Sequence, residues 1–291
     1  MTQKINIADL AAISEIVHEA SGIALDRSKG YLVETRLGSL LRERGVASWA
    51  ALATRCRRDR KLRDEVVDAL TTKETSFFRD PRTFEALTHK LIPEHYERLG
   101  PHAPLRIWSA ACSTGQEVYS AAMMLREMLG PLAGRRISIV GTDISPTALK
   151  QANRGSYSEL EVSRGLHSER LQRYFSRDKA HFRVLDELRG LAVFKQLNLL
   201  DPVSVRGAGG PFDIVLCRNV AIYFDDDDRL KLFDHLCRAM APQAVLILGL
   251  TETMRNVPRE LRRDSFRGVT FYRREPRERA QAAPASRLTS C

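Results

Sequence analysis

Apolar positions in the first quarter of the chain recur at helical spacing. Ile5, Leu10, Ile13, Ile16 and Val17 form one stripe. Tyr31, Leu32, Leu37, Leu40 and Leu41 form a second, which stops before Gly45. Trp49 to Cys56 is a third, and Leu62, Val66, Val67 and Leu70 a fourth. No β-rich run interrupts them, so residues 1–78 are predicted to form a small all-α domain. Pro81 and an amphipathic helix from Thr83 to about Leu99 come next, closed by the breaker cluster from Gly100 to Pro104. Residues 79–104 read as a linker and connecting helix.

Beyond residue 104 short apolar runs alternate with helical periods. Strands are predicted at Leu105–Ala111, Ile137–Ile144, Phe212–Cys217 and Ala244–Leu250, with an antiparallel pair within Ser265–Arg274. Helices are predicted at Glu117–Leu129 and Asp225–Met240, and one opens at Ser145-Pro146, an N-cap followed by proline at the first helical position. The alternation implies an α/β domain over 105–275, a mostly parallel sheet covered on both faces. Residues 155–195 break the rhythm and read as an insertion. Residues 276–291, rich in Arg, Ala, Pro and Ser, read as a disordered tail.

Composition narrows the class. Of 291 residues, 43% are hydrophobic and 28% charged, which is globular. No apolar run reaches the roughly 18 residues of a membrane span, and the start MTQKINIADL has no apolar signal core, so a cytoplasmic protein is expected. Five scattered cysteines without a C-x-x-C pair fit neither a disulfide scaffold nor a zinc site. The seven histidines show no ligand spacing, so no metal is expected. The net charge is +10, which favours an acidic partner. Eleven Lys/Arg stand against three Asp/Glu between Arg27 and Arg63, and ten against four from Arg255 onward. Either segment also reads as a solvated face.

In such folds ligands sit at the carboxyl ends of the strands. The first end, Ser109 to Glu117 (SAACSTGQE), is neither a G-x-G-x-x-G turn nor a P-loop, which argues against a phosphate cradle. Its small residues still admit a ligand close to the backbone. Asp143 ends the second strand, where a carboxylate can accept both hydroxyls of a ribose, or simply cap a turn. Glu117 suits a cationic ligand. A nucleoside carrying a cation but no phosphate is S-adenosylmethionine. Cys112 and Cys217 read as core residues rather than nucleophiles.

Seven blocks then occur in order: TTKETSFFRD (from Thr71), RIWSAACSTGQEVYSAAMML (from Arg106), GTDIS (from Gly141), LQRYF (from Leu171), FKQLNLL (from Phe194), FDIVLCRNVAIYF (from Phe212) and LGLTET (from Leu248). With SGIALDRSKGYLVETRL in the helical part, the chain resembles the bacterial chemotaxis receptor methyltransferase family (CheR-type) from about Ile13 to Tyr272. The resemblance implies a Rossmann-like methyltransferase domain with a small β insertion. It implies methyl transfer from S-adenosylmethionine to chemoreceptor glutamates, with S-adenosylhomocysteine as product.

Position by position, the resemblance puts Thr75 and Arg79 on cofactor contacts, Ala111 and Glu117 on the first loop, and Asp143 on the ribose with Ile144 beside the adenine. Asn198 and Leu199 match the pair near the adenine. Arg218, Asn219 and Tyr223 match residues at the methionine end and the transfer channel. Taken singly, Asn198 also reads as a turn residue and Tyr223 as a core aromatic. Arg79 and Tyr223 are the candidate catalytic, orienting groups.

Lys73 replaces a usual asparagine. Its cation would either pair with the cofactor carboxylate or repel the sulfonium. In PQAVLILG a usual glycine before the strand is missing. The segment SRDKAHFRV (from Ser176) is short and lacks the glycine-rich loop that docks a receptor pentapeptide in some members. Recognition is then expected from the basic helical domain, through Arg36, Arg42 and Arg44, against an acidic helical methylation region. A monomer is the default expectation. An RNA methyltransferase is the first alternative, opposed by the lack of an N/D-P-P-Y motif and of aromatic residues interleaved with the basic runs. A non-catalytic S-adenosylmethionine-binding signalling module is the second, supported only by Lys73.

Overall fold

A computed structural model describes residues 4–131 and 136–276; the predicted tail beyond residue 276 lies outside them. The helical part comprises α1 (Ile7–Ser21), α2 (Gly30–Glu43), α3 (Trp49–Arg58) and α4 (Arg60–Leu70). Side-chain caps from Asn6, Ser48 and Asp59 start α1, α3 and α4, each accepting a backbone N–H that the helix itself cannot satisfy. Their apolar stripes meet in one core around Leu10, Ile13, Val17, Val33, Leu37, Trp49, Leu52, Leu62 and Val66. Tyr31 departs from the expected stripe and is 79% exposed. It sits on the opposite side of the α2 cylinder from Val33 and Leu37, so helical periodicity alone placed it one step out of phase.

The connecting helix runs as α5 (Pro81–Ala86), a π turn (Leu87–Leu91) and α6 (Ile92–Leu99). Then follow β1 (Leu105–Ala110), α7 (Gln116–Leu129), β2 (Ile137–Asp143) and α8 (Pro146–Arg154), the last capped by Ser145 as predicted. An excursion of β3 (Ser156–Ser158), α9 (Glu159–Ser163), α10 (Ser168–Tyr174), β4 (Phe175–Asp178), β5 (His181–Val184) and α11 (Asp186–Arg189) carries its own three-stranded sheet, in the order β3-β5-β4. The chain returns through β6 (Ala192–Gln196), α12 (Pro202–Arg206), β7 (Phe212–Cys217), α13 (Asp226–Ala239), β8 (Met240–Leu248), β9 (Leu261–Phe266) and β10 (Val269–Arg274).

The main sheet has the order β6-β2-β1-β7-β8-β10-β9. Its first five strands are parallel, and β10 runs antiparallel to both of its neighbours, β8 and β9. One expectation needs correction. Residues 192–195, assigned to the insertion, belong to β6, the edge strand beside β2. Its burial pattern is half-exposed throughout, so it lacks the apolar run by which buried parallel strands are read. Strand order reverses between β1 and β7, and the register sets Ala110 beside both Thr142 and Cys217. The loops after three strands therefore open at one place.

Candidate active site

A cavity of about 380 Å³ fills that opening. Its walls include Thr75, Arg79, Ala111, Glu117, Asp143, Ile144, Asn198, Leu199, Arg218, Asn219 and Tyr223. The structure thus brings together eleven of the twelve residues expected at the cofactor site and transfer channel. Lys73 is the exception: it does not line the cavity. The Lys73 ammonium lies 3.2 Å from Asp68 Oδ1 and donates to Thr147 Oγ1 at 2.6 Å. The cation is thus paired with a carboxylate of the protein itself.

Backbone geometry shapes the first loop. Ala111, Ser113 and Gly115 all have positive φ (61°, 52° and 94°). At Gly115 a side chain is also excluded by space, since a Cβ would meet Ala152 Cβ at 2.8 Å. The tight loop delivers the Ser113 N–H to Asp143 Oδ2 at 2.8 Å, while the Ser145 N–H reaches Oδ1 at 2.9 Å. Each carboxylate oxygen keeps acceptor capacity for a further donor. Burial pushes the Asp143 pKa up, opposed by these two amides and by Lys73.

Arg218 organises the opposite wall. Its guanidinium is nearly fully buried and donates to Glu117 Oε2 at 2.7 Å, to Asp80 Oδ2 at 2.7 Å and to the Arg79 carbonyl. Glu117 Oε1 also accepts from Ser109 Oγ at 2.7 Å. Arg218 thus ties the segment carrying Thr75 and Arg79 to the first loop. Asn219, with φ of 57°, is held by a residue that sequence reasoning missed. Buried Glu252 accepts from the N–H groups of Asn219 (2.6 Å), Gly249 (2.8 Å) and Ile222 (3.3 Å). The LGLTET block contains Glu252, but nothing in that block pointed at a loop 30 residues earlier.

The larger omission is the lid. Ser21, the last residue of α1, and Ile23, Ala24, Leu25 and Asp26, in the connection between α1 and α2, also line the cavity. The Ala24 N–H donates to the Tyr223 carbonyl at 2.9 Å, and Asn198 Nδ2 donates to the Ala20 carbonyl at 3.0 Å. Gly22, at φ 76°, packs against the side chains of Leu200 and Phe224, and a Cβ there would have to displace the Leu200 methyl as well as strain the backbone. Asn198 lines the cavity, and its Oδ1 accepts the Leu200 N–H as a turn residue does.

His18 Nε2 lies 3.1 Å from both Asp225 Oδ2 and Asp228 Oδ2. Sequence spacing gave no histidine cluster because 207 residues separate His18 from Asp225. These three are the group of metal-ligand type among the described residues. Here the imidazole bridges two carboxylates and fastens α1 to the start of α13.

The basic candidates on α2 divide. Arg36 Nη1 donates to the carbonyls of Leu70 (2.8 Å) and Thr71 (3.0 Å), closing the end of α4, so its guanidinium serves the fold. Arg44 Nε pairs with Glu65 at 2.8 Å, and Arg42 is exposed. Among the described residues no helix is long and apolar enough to cross a membrane.

The cavity suits a phosphate-free nucleoside. It offers a carboxylate at the second strand end, apolar Ile144, Leu197 and Leu199, and an acid toward the far wall. A parallel sheet with such a site at its switch point defines a nucleoside-cofactor α/β domain, here lidded by a helical bundle. Two family descriptions match along the chain: "CheR methyltransferase, all-alpha domain" over residues 8–71 and "CheR methyltransferase, SAM binding domain" over residues 73–267. The chain belongs to the CheR methyltransferase family, and its cofactor is S-adenosylmethionine.

It is 39% identical over 257 residues to the chemotaxis protein methyltransferase Cher2 of Pseudomonas putida, covering 86% of this chain and 92% of that one. It is 33% identical over 282 residues to the chemotaxis protein methyltransferase of Salmonella typhimurium, covering 94% and 92%. A solved rRNA methyltransferase from Streptomyces viridochromogenes covers 70% of this chain and 87% of its own at 15% identity and a TM-score of 0.43. A likeness that distant assigns no substrate.

Proposed function

We propose that this protein methylates glutamate side chains of chemoreceptors, forming methyl esters during chemotaxis, in the cytoplasm. The observation that carries the reading is the meeting of Arg79 and Tyr223 with Asp143 and Glu117 in one cavity lidded by the helical domain. The names of the relatives, chemotaxis protein methyltransferases, support a chemotaxis protein as the methyl acceptor.

S-adenosylmethionine, when bound, supplies an electrophilic methyl on a sulfonium. A glutamate has an unperturbed pKa of about 4.3, so it enters as a carboxylate and needs no general base. Opposite charges fade as the ester forms, so the work of the protein is to exclude water and align the attack. In this reading Asp143 holds the ribose, and Ile144, Asn198 and Leu199 flank the adenine. Thr75, Ala111, Glu117, Arg218 and Asn219 shape the methionine end. Arg79 and Tyr223 orient the incoming carboxylate. Exposed Arg42 and Arg44 meet the acidic receptor helices, with Arg36 holding α4 behind them. The protein acts as a monomer and without nucleic acid.

The test is transfer of tritiated methyl to receptor-bearing membranes. Label released as methanol by mild alkali supports the ester; alkali-stable label in RNA refutes it. Arg79→Ala and Tyr223→Phe should each lower turnover by about tenfold or more, and wild-type turnover in both would remove their roles. The two-residue Lys179-Ala180 turn between β4 and β5 supports independence from a pentapeptide tether, because it leaves no long loop there. Receptor truncated by its last five residues should be methylated at the full rate. A large loss would restore the tether.

A further inference from the structure

The carboxylate of Asp143 is gripped by two amides, and the serines that supply them reach into the helical part of the chain. Ser113 Oγ donates to the Lys73 carbonyl at 3.0 Å. Ser145 Oγ donates to Asp68 Oδ1. Asp68 lies near the end of α4, with its side chain only 13% exposed. Thr147 Oγ1 donates to Asp68 Oδ2 at 2.8 Å, and Lys73 Nζ both donates to Thr147 and lies 3.2 Å from Asp68 Oδ1. One carboxylate from the helical domain therefore collects an ammonium and two hydroxyls at the start of α8, two to four residues after Asp143.

We propose that Asp68 is a positioning residue for the cofactor site: through Lys73, Ser145 and Thr147 it fixes, from the helical domain, the two loops whose amides orient Asp143. This rests on the reading of Asp143 as the ribose acceptor. The logic is one of unmatched donors. Without Asp68 an ammonium and two hydroxyls lose their shared acceptor, and each must turn elsewhere. The Ser145 hydroxyl also caps α8 by accepting the Ala148 N–H, so its displacement moves the segment whose N–H holds Asp143. Chained donors of this kind strengthen one another, so the parts act together. Lys73 completes the latch because an asparagine at that position could not form the ion pair.

The experiment compares Asp68→Ala, Lys73→Met, their double variant and Asp143→Asn. It measures S-adenosylhomocysteine affinity by calorimetry, and the KM for S-adenosylmethionine and for receptor separately. Asp68→Ala is expected to weaken product binding and raise the cofactor KM by about tenfold. Turnover and receptor KM should stay within about twofold. Lys73→Met should weaken binding less. The double variant should bind as Asp68→Ala does, because the two side chains act as one unit. Folded Asp68→Ala with wild-type affinity, or additive losses in the double variant, overturns the latch. Asp143→Asn at wild-type affinity overturns the ribose reading instead. If Asp68→Ala does not fold, Asp68→Asn, which keeps the shape and one acceptor, and Lys73→Met carry the same comparison.

Discussion

Asp143 carries most of the consequences at the scale of single residues. Burial raises its pKa above the ordinary 3.8. Between the ordinary and the raised value, the folded chain holds a proton that the unfolded chain has released. Through this group, acid therefore stabilises the ligand-free fold as pH falls, until the unfolded chain is protonated too. In the proposed reading, the same proton removes the charge that would accept the ribose hydroxyls. Measured product affinity should fall as the pH is lowered from neutral toward the ordinary carboxylate range, with the loss beginning above the pH at which an unperturbed aspartate would protonate, while Asp143→Asn binds weakly with a flatter profile. A wild-type affinity that does not change with pH while Asp143→Asn binds normally would take Asp143 out of the site. The residues around it were unevenly legible. Asp143 and Glu117 were read from their places at strand ends. Glu252 was not, because a buried carboxylate that serves three backbone amides has no local signature.

Among the elements, β8 shows how a departure in sequence becomes a strain in structure. Its pairing with β7 shifts register between Phe212 and Ile214, and Gln243 sits in that irregularity at φ 63°. A left-handed backbone crowds the Cβ of any residue but glycine, at a cost of roughly 1–2 kcal/mol. This is the stretch where PQAVLILG lacks a glycine. Gln243→Gly is expected to stabilise the protein by about 1 kcal/mol and raise Tm by a few degrees, about 2–4 °C for a chain of this size. Thermal unfolding checks it, and an unchanged or lower Tm would show that the turn is not strained. The β insertion followed the opposite course. Its presence was visible as a broken rhythm, but its end was misplaced by β6, whose partly exposed residues give no apolar run.

For the molecule as a whole, the proposed function has the net charge of +10 and the exposed arginines of the helical domain set the terms of encounter with an acidic receptor surface. Exposed charges are screened over about 10 Å at 0.1 M salt. The KM for receptor should therefore rise with ionic strength, while turnover at saturating receptor and the affinity for S-adenosylhomocysteine change little. Initial rates across a salt series test this. A receptor KM indifferent to salt would move recognition off the basic face. The same scale explains the lid. Helical periods announced α1 and α2, but the contact of their connection with Tyr223, Asn198 and Phe224 spans about two hundred residues of chain.

By itself the sequence determined the order of helices and strands, the division into a helical part and an α/β part, and most of the cavity wall. These follow from local periodicity, capping and short motifs, each contained within a few neighbouring residues. Tertiary structure alone decided that Lys73 pairs with Asp68, and that Arg36 closes α4. It also decided that His18 meets two aspartates, and that the α1–α2 connection covers the site. Each of those outcomes depends on which distant group supplies a partner for a charge or a buried donor. That partner is chosen by packing, which sequence neighbours do not encode.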